Sequence, residues 1–69
     1  MRYAVVIERG PTGFGASVPD LPGCIAVAAT REEAEQLIEA AIALHLAELR
    51  DEGLTLPAPA TRVLTVDVA

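Results

Sequence analysis

Few side chains in this 69-residue chain could do chemistry: one cysteine, one histidine and three carboxylates outside the long helical pattern. Cys24 follows a turn, and neither a base nor a cation lies near it in sequence to activate the thiol as a nucleophile. His45 falls on the apolar face of a predicted helix, where a lone histidine is most often a hydrogen-bonded core residue. The sequence therefore predicts no catalytic residue, no metal site and no cofactor.

The three carboxylates outside the predicted helix are Glu8, Asp20 and Asp67. Nuclease chemistry with Mg²⁺ needs several acids that converge on one cation. Glu8 and Asp67 lie near the ends of two predicted strands, but two acids without further ligands are a weak signal. A residual metal-dependent nuclease is therefore a minor hypothesis, which requires these acids to meet.

The charge and cysteine content point to a protein partner in a reducing compartment. The net charge is -5 and the five arginines are scattered singly, so no basic stripe is available for direct nucleic-acid binding. An acidic chain favours encounter with a basic protein. A single cysteine and an apolar start that stops at Glu8 predict a cytoplasmic protein, neither exported nor embedded in a membrane.

The length itself predicts association. A domain of this size buries only about 60% of the surface that its unfolded chain exposes, so it is marginal alone. The chain is 52% hydrophobic and only 22% charged, which is too apolar for a disordered protein and suggests a buried interface. We therefore expect an obligate partner, or a homo-oligomer such as a dimer or tetramer.

Three strands are predicted in the first half of the chain. Tyr3 to Glu8 is rich in β-branched residues, and the turn Gly10-Pro11-Thr12-Gly13 leads into a second strand, Phe14 to Val18. Pro19 to Cys24 forms a sharp corner because neither of its prolines can donate to a ladder. The third strand, Cys24 to Ala29, completes a meander with small side chains on one face.

One long helix follows. Thr30 and Glu33 match a capping box at its start, and Gly53 is the natural stop, with Leu54 placed to contact Leu49. At about 100° per residue the helix has one face suited to pack on the sheet. That face consists of Ala34, Ile38, Ala41, Ile42, His45 and Leu49.

A flank of the helix beside that face is also apolar. Leu37, Ala40, Leu44 and Ala47 recur at spacings of three and four residues. Either a second chain or a sheet edge or loop of the same chain covers this flank. Leu37 and Leu44 are therefore candidate partner-binding residues.

The C-terminal part is predicted to return to the sheet. A stiff Pro57-Ala58-Pro59 connector precedes a fourth strand, Arg62 to Val68, with alternating apolar residues. A right-handed crossover would dock this strand beside the first. The expected fold is α+β, β-β-β-α-β, with a mostly antiparallel sheet of order 3-2-1-4 and the long helix on one face.

Several of these features together resemble the HicB-like antitoxin family over nearly the whole chain. The matching positions are Tyr3, Glu8, Pro19-Asp20-Leu21-Pro22-Gly23-Cys24, Thr30, Glu33-Ala34, Ala41-Ile42, His45-Leu46, Gly53 and Pro57. The six-residue turn followed by a Thr-x-x-Glu-Ala helix start is the most specific part. The resemblance implies a partial ribonuclease-H-like fold in a single domain spanning residues 1–69.

The resemblance also implies a function. A HicB-like antitoxin neutralises a small basic ribonuclease toxin of the HicA type by covering its active surface, often as an oligomer. Asp20, Leu21 and Pro22 are the candidate contacts at the turn, where Leu21 is expected at the rim of the domain. Many such antitoxins carry a C-terminal DNA-binding segment, which we do not expect here. The alternative is a stand-alone oligomerisation module without a toxin partner.

Overall fold

The computed structural model describes residues 1–69 as an α+β domain. Three strands, β1 (Val6–Arg9), β2 (Phe14–Ser17) and β3 (Ile25–Ala28), are followed by one helix, α1 (Arg31–Asp51). The strands form an antiparallel sheet in the order β1-β2-β3. The predicted meander and long helix are therefore confirmed.

The first hairpin owes its shape to its glycines. Arg9 pairs with Phe14 at the end of the β1–β2 ladder, and the Gly10 amide donates to the Gly13 carbonyl across the loop at 2.7 Å. A Cβ atom on Gly13 would overlap the backbone carbonyl of Ala28 in β3. Only glycine therefore lets the loop lie this close to the neighbouring strand.

β1 begins at Val6, three residues later than predicted. The ladder with β2 ends at the Val6–Ser17 pair. Beyond Ser17, the Val18 amide faces β3 and donates to the Cys24 carbonyl at 3.3 Å. The next residue whose backbone would face β1 is Pro19, which has no amide hydrogen, so the β1–β2 ladder loses its next donor.

Small side chains on one face of the sheet let the helix approach closely. Ala16 in β2 lies between Ile7 and Ala26 of the two neighbouring strands, and it is buried. Ala34 and Ile38 of α1 are buried in the same cluster. As predicted, the rest of the sheet-facing side of the helix is partly buried. Its members are Ala41, Ile42, His45 and Leu49.

The helix is capped at both predicted ends, and of the predicted capping box the Thr30 half is formed. The Thr30 hydroxyl accepts a hydrogen bond from the Glu33 amide at 3.2 Å. At the other end Gly53 has a φ of +72°, its amide donates to the Arg50 carbonyl, and the Leu54 amide donates to the Leu49 carbonyl. These two bonds define a Schellman ending, which satisfies carbonyls that a helix otherwise leaves unpaired.

The fourth strand and the order 3-2-1-4 are wrong for this chain. Residues 54–69 contain no helix or strand, and β1 has only β2 as a neighbour. Two sets of hydrogen bonds hold the connector in place. The Tyr3 hydroxyl donates to the Pro57 carbonyl, and Asp20 binds Ala60 and Thr61. Tyr3 precedes β1 and Asp20 lies in the loop between β2 and β3, so these contacts hold the connector at the end of the sheet where β1 begins and β2 ends.

Candidate partner-binding site

The corner from Val18 to Cys24 consists of two successive tight turns. The Leu21 amide donates to the Val18 carbonyl at 3.0 Å, and the Cys24 amide donates to the Leu21 carbonyl at 3.1 Å. Each turn has a proline at its second position, where a fixed φ is favourable. Gly23 has a φ of +84°, as the third position of a type II turn requires. The Pro-x-x-Pro-Gly pattern is thus a direct consequence of the backbone path.

This double turn directs Leu21 inward. The side chain is 0% exposed and belongs to the core cluster with Val18, Cys24 and Ile38. The expectation that Leu21 lies at the rim for partner contact is therefore wrong, because the residue shared by the two turns points into the core. Pro22 is exposed beside it.

Asp20 is occupied within the chain. One carboxylate oxygen accepts from the Ala60 and Thr61 amides, both at 3.0 Å, and the other accepts from the Thr61 hydroxyl at 2.9 Å. These contacts join the corner to the C-terminal segment over some forty positions of sequence. We name this arrangement the Asp20 anchor. It favours the ionised carboxylate, so the hydrogen bond from the Thr61 amide, followed by those from the Thr61 hydroxyl and the Ala60 amide, lowers the pKa of Asp20 despite partial desolvation.

The Asp20 anchor should respond to pH. A lowered folded-state pKa means that the anchor is complete above the ordinary value of 3.8 and is lost as the pH falls through the folded pKa. The Ala60 and Thr61 amide resonances should therefore titrate together in NMR spectra, with a midpoint below 3.8. Asp20→Asn should abolish this titration. A midpoint at or above 3.8 would show that the carboxylate is not held by these groups.

The apolar helix flank is exposed along its length. Leu37 is 48% exposed and Leu44 is 61% exposed, and Ala40 and Ala47 are exposed between and beyond them. No sheet edge or loop of this chain covers them. These four residues, which we name the helix stripe, form an apolar surface available to a partner.

The helix stripe lies on the β3 side of the helix. Glu39 lines a groove with Val5 and Ile7 and therefore faces β1. Because each residue turns an α-helix by about 100°, Leu37 projects about 200° away from Glu39. The stripe and the β1 edge are consequently two separate surfaces.

A second apolar surface was missed by the sequence reasoning. Ile25 and Val27 are exposed on the face of β3 that points away from α1, and Val6 of β1 is exposed on the same face. The signal was present in the sequence, since β3 is apolar on both faces. One helix can cover only one face of a sheet.

The groups that could do chemistry are dispersed. No three residues of the types His, Cys, Asp and Glu gather at a distance that would hold a metal ion, so Glu8, Asp20 and Asp67 do not converge. Cys24 is buried, and burial raises the pKa of its thiol, which makes the nucleophilic thiolate scarcer. His45 is half-buried on the sheet-facing side of the helix. No helix is both long and apolar enough to cross a membrane.

Comparisons with known proteins agree with this architecture. Residues 3–67 match the family described as the HicB-like antitoxin of bacterial toxin-antitoxin systems. A solved chain from a HicA3 and HicB3 toxin-antitoxin complex superposes with a TM-score of 0.72 and 32% identity, over 87% of this chain and 70% of that one.

A curated relative from Haemophilus phage HP1 (strain HP1c1) is similar as well. It is an uncharacterised 14.9 kDa protein encoded in the rep-hol intergenic region, with 35% identity over 57 residues. The match covers 83% of this chain but only 43% of that relative. The three-stranded meander with one long helix is thus an antitoxin-type domain. The chain belongs to the HicB-like antitoxin family.

Proposed function

We propose that this chain neutralises a small basic ribonuclease toxin of the HicA type by covering its active surface. The observation that supports this most directly is the structural similarity to a chain of a HicA3 and HicB3 complex. The net charge of -5 suits a basic partner, because opposite charges speed encounter. The role is non-enzymatic, since neutralisation needs binding alone.

The helix stripe is the surface that we assign to the toxin. Interfaces gain most of their affinity from a few large apolar side chains that become fully buried near the centre. Leu37 and Leu44 are two such side chains, seven residues apart on one side of a rigid helix. Asp20 and Pro22 of the corner remain proposed contacts at the periphery, whereas the buried Leu21 supports the corner from within.

Co-expression tests the proposal. A HicA-type toxin encoded beside the gene should arrest growth when expressed alone, and the present chain should restore growth and co-purify with the toxin. A catalytically inactivated toxin should be retained equally well, because covering a surface does not depend on turnover. A toxin that remains unbound and active in the presence of folded chain would refute the proposal.

Self-association without a toxin is the second candidate. Only six of 69 residues are buried, which is a small core for an independently stable domain. Sedimentation of the chain alone should show a dimer or larger oligomer. A tight oligomer that fails to bind any toxin encoded beside the gene would favour this candidate over the first.

A further inference from the structure

β3 has a free edge, because the sheet ends with it and no strand of this chain pairs on its outer side. The Val18 amide donates to the Cys24 carbonyl, so the backbone of Cys24 faces β2. Backbone groups in an antiparallel ladder alternate in direction from one residue to the next. The amides and carbonyls of Ile25 and Val27 therefore point away from β2, toward the free edge.

This edge lacks the side chains that usually keep a free edge from pairing. Natural proteins protect such edges with charged residues, prolines or bulges. β3 consists of Ile-Ala-Val-Ala, its register with β2 is unbroken, and no charged residue stands between Asp20 and Arg31. β1, at the other side of the sheet, carries Glu8 and Arg9. Of the two outer strands, β3 is therefore the less protected one.

Apolar surface flanks the β3 edge on both faces of the sheet. On the face away from α1, Ile25 and Val27 are 66% and 76% exposed. On the other face, Leu37 and Leu44 of the helix stripe lie on the β3 side of the helix. A strand paired with β3 would direct alternate side chains toward these two surfaces. One docked strand would therefore shield exposed apolar area on both faces.

The acidic side chains around the helix stripe indicate the charge of the partner. At about 100° per residue, Glu33, Glu48 and Asp51 project within about 60° of the middle of the stripe. Both arginines of the helix, Arg31 and Arg50, project at least about 100° away from it. The surface beside the β3 edge is therefore acidic. Two copies of it repel each other, whereas a basic chain is attracted.

We infer that the basic toxin adds an extended segment as a strand to the β3 edge, so that one sheet continues across the complex. This inference rests on the proposed function and specifies how the toxin docks beside the helix stripe. Backbone hydrogen bonds to Ile25 and Val27 fix the register, and the flanking apolar surfaces select the side chains. The segment that fits is apolar on both of its faces, with cations beside it to meet the acids around the stripe.

Amide exchange locates the toxin strand. In ¹⁵N-labelled 69-residue chain alone, the outward amides of Ile25 and Val27 should exchange rapidly in D₂O. Saturation with an unlabelled, catalytically inactivated HicA-type toxin encoded beside the gene should slow both at least about 10-fold. Interchain NOEs from β3 to a toxin strand should appear at the same time. Ala26 is the internal reference, because its amide faces β2 and should be protected in both states.

The possible results separate this inference from the proposed function. A toxin that binds while the Ile25 and Val27 amides stay unprotected would overturn strand pairing and leave the neutralising role intact. Protection that develops in the chain alone as its concentration rises would assign the edge to a second copy, and it would also overturn the inference. A complete lack of binding would refute the proposed function and the inference together.

A matched pair of proline variants tests the backbone contact. Val27→Pro removes an outward amide hydrogen and leaves the β2–β3 ladder intact. It should raise the dissociation constant of the inactivated toxin at least about 10-fold in titration calorimetry. Arg9→Pro makes the same backbone change on the outer side of β1, because the next amide, that of Gly10, faces Gly13. It should bind like the parent chain.

Circular dichroism should show an intact helix in both proline variants. Equal losses of affinity for the two, or full affinity of folded Val27→Pro, would overturn strand pairing at the β3 edge. The exchange experiment on the parent chain decides the question without any substitution.

Discussion

Replacing Leu21 with aspartate is expected to unfold the domain. Leu21 is fully buried, and its core cluster contains no polar or charged side chain that could pair with a carboxylate. Removing a buried leucine to alanine costs about 2–5 kcal/mol, and an unpaired buried carboxylate costs more. A 69-residue domain has about 3–10 kcal/mol of stability in total. The substitution therefore removes most or all of it.

Urea denaturation followed by circular dichroism measures this loss. Leu44→Asp is the matched control, because it makes the same chemical change at an exposed leucine and should leave the midpoint nearly unchanged. Leu21→Met keeps the volume and should cost less than about 1.5 kcal/mol. All chains are compared at one concentration, since association adds to apparent stability. Equal midpoints for the two aspartate variants would show that Leu21 is not a core residue.

Charging the helix stripe is expected to abolish toxin binding while the fold survives. Leu37→Asp with Leu44→Asp removes two apolar anchors, each worth about 2 kcal/mol if it lies at the centre of the interface. The dissociation constant should then rise about 1,000-fold. Titration calorimetry with an inactivated HicA-type toxin provides the measurement.

Gln36→Asp with Ala43→Asp is the control for this experiment. It adds two negative charges seven residues apart on the same helix, at exposed positions outside the stripe. Added negative charge should not weaken binding to a basic toxin, so this variant should bind like the parent chain. Equal losses for the two pairs would exclude the helix stripe as the specific contact. If both pairs of variants bind the toxin as well as the parent chain does, the exposed face of β3, where Ile25 and Val27 lie, becomes the candidate interface.

Local signals predicted the secondary structure well because each rests on neighbouring residues. Thr30 and Glu33 form the helix cap, and Gly53 ends the helix with a positive φ. The face of the helix that packs on the sheet follows from a fixed turn per residue. Such features depend on interactions across a few positions, which the sequence displays directly.

The candidate site was predicted only in part, since burial depends on distant contacts. Leu37 and Leu44 are exposed as a partner surface requires, but Leu21 is buried. From the sequence, a leucine between two prolines can point either way. The direction is set by the two consecutive turns and by packing in the core cluster that contains Ile38, and neither is visible in local spacing.

By itself, the sequence determined the α+β class, the three-stranded meander, the capped helix and the resemblance to HicB-like antitoxins. The tertiary structure decided which way Leu21 faces, what Asp20 binds and that residues 62–68 form no strand within this chain. The alternating apolar residues in positions 62–68 are the pattern of a strand with one buried face. This pattern does not show which strand edge such a strand would pair with, or in which chain, because strand pairing depends on long-range geometry.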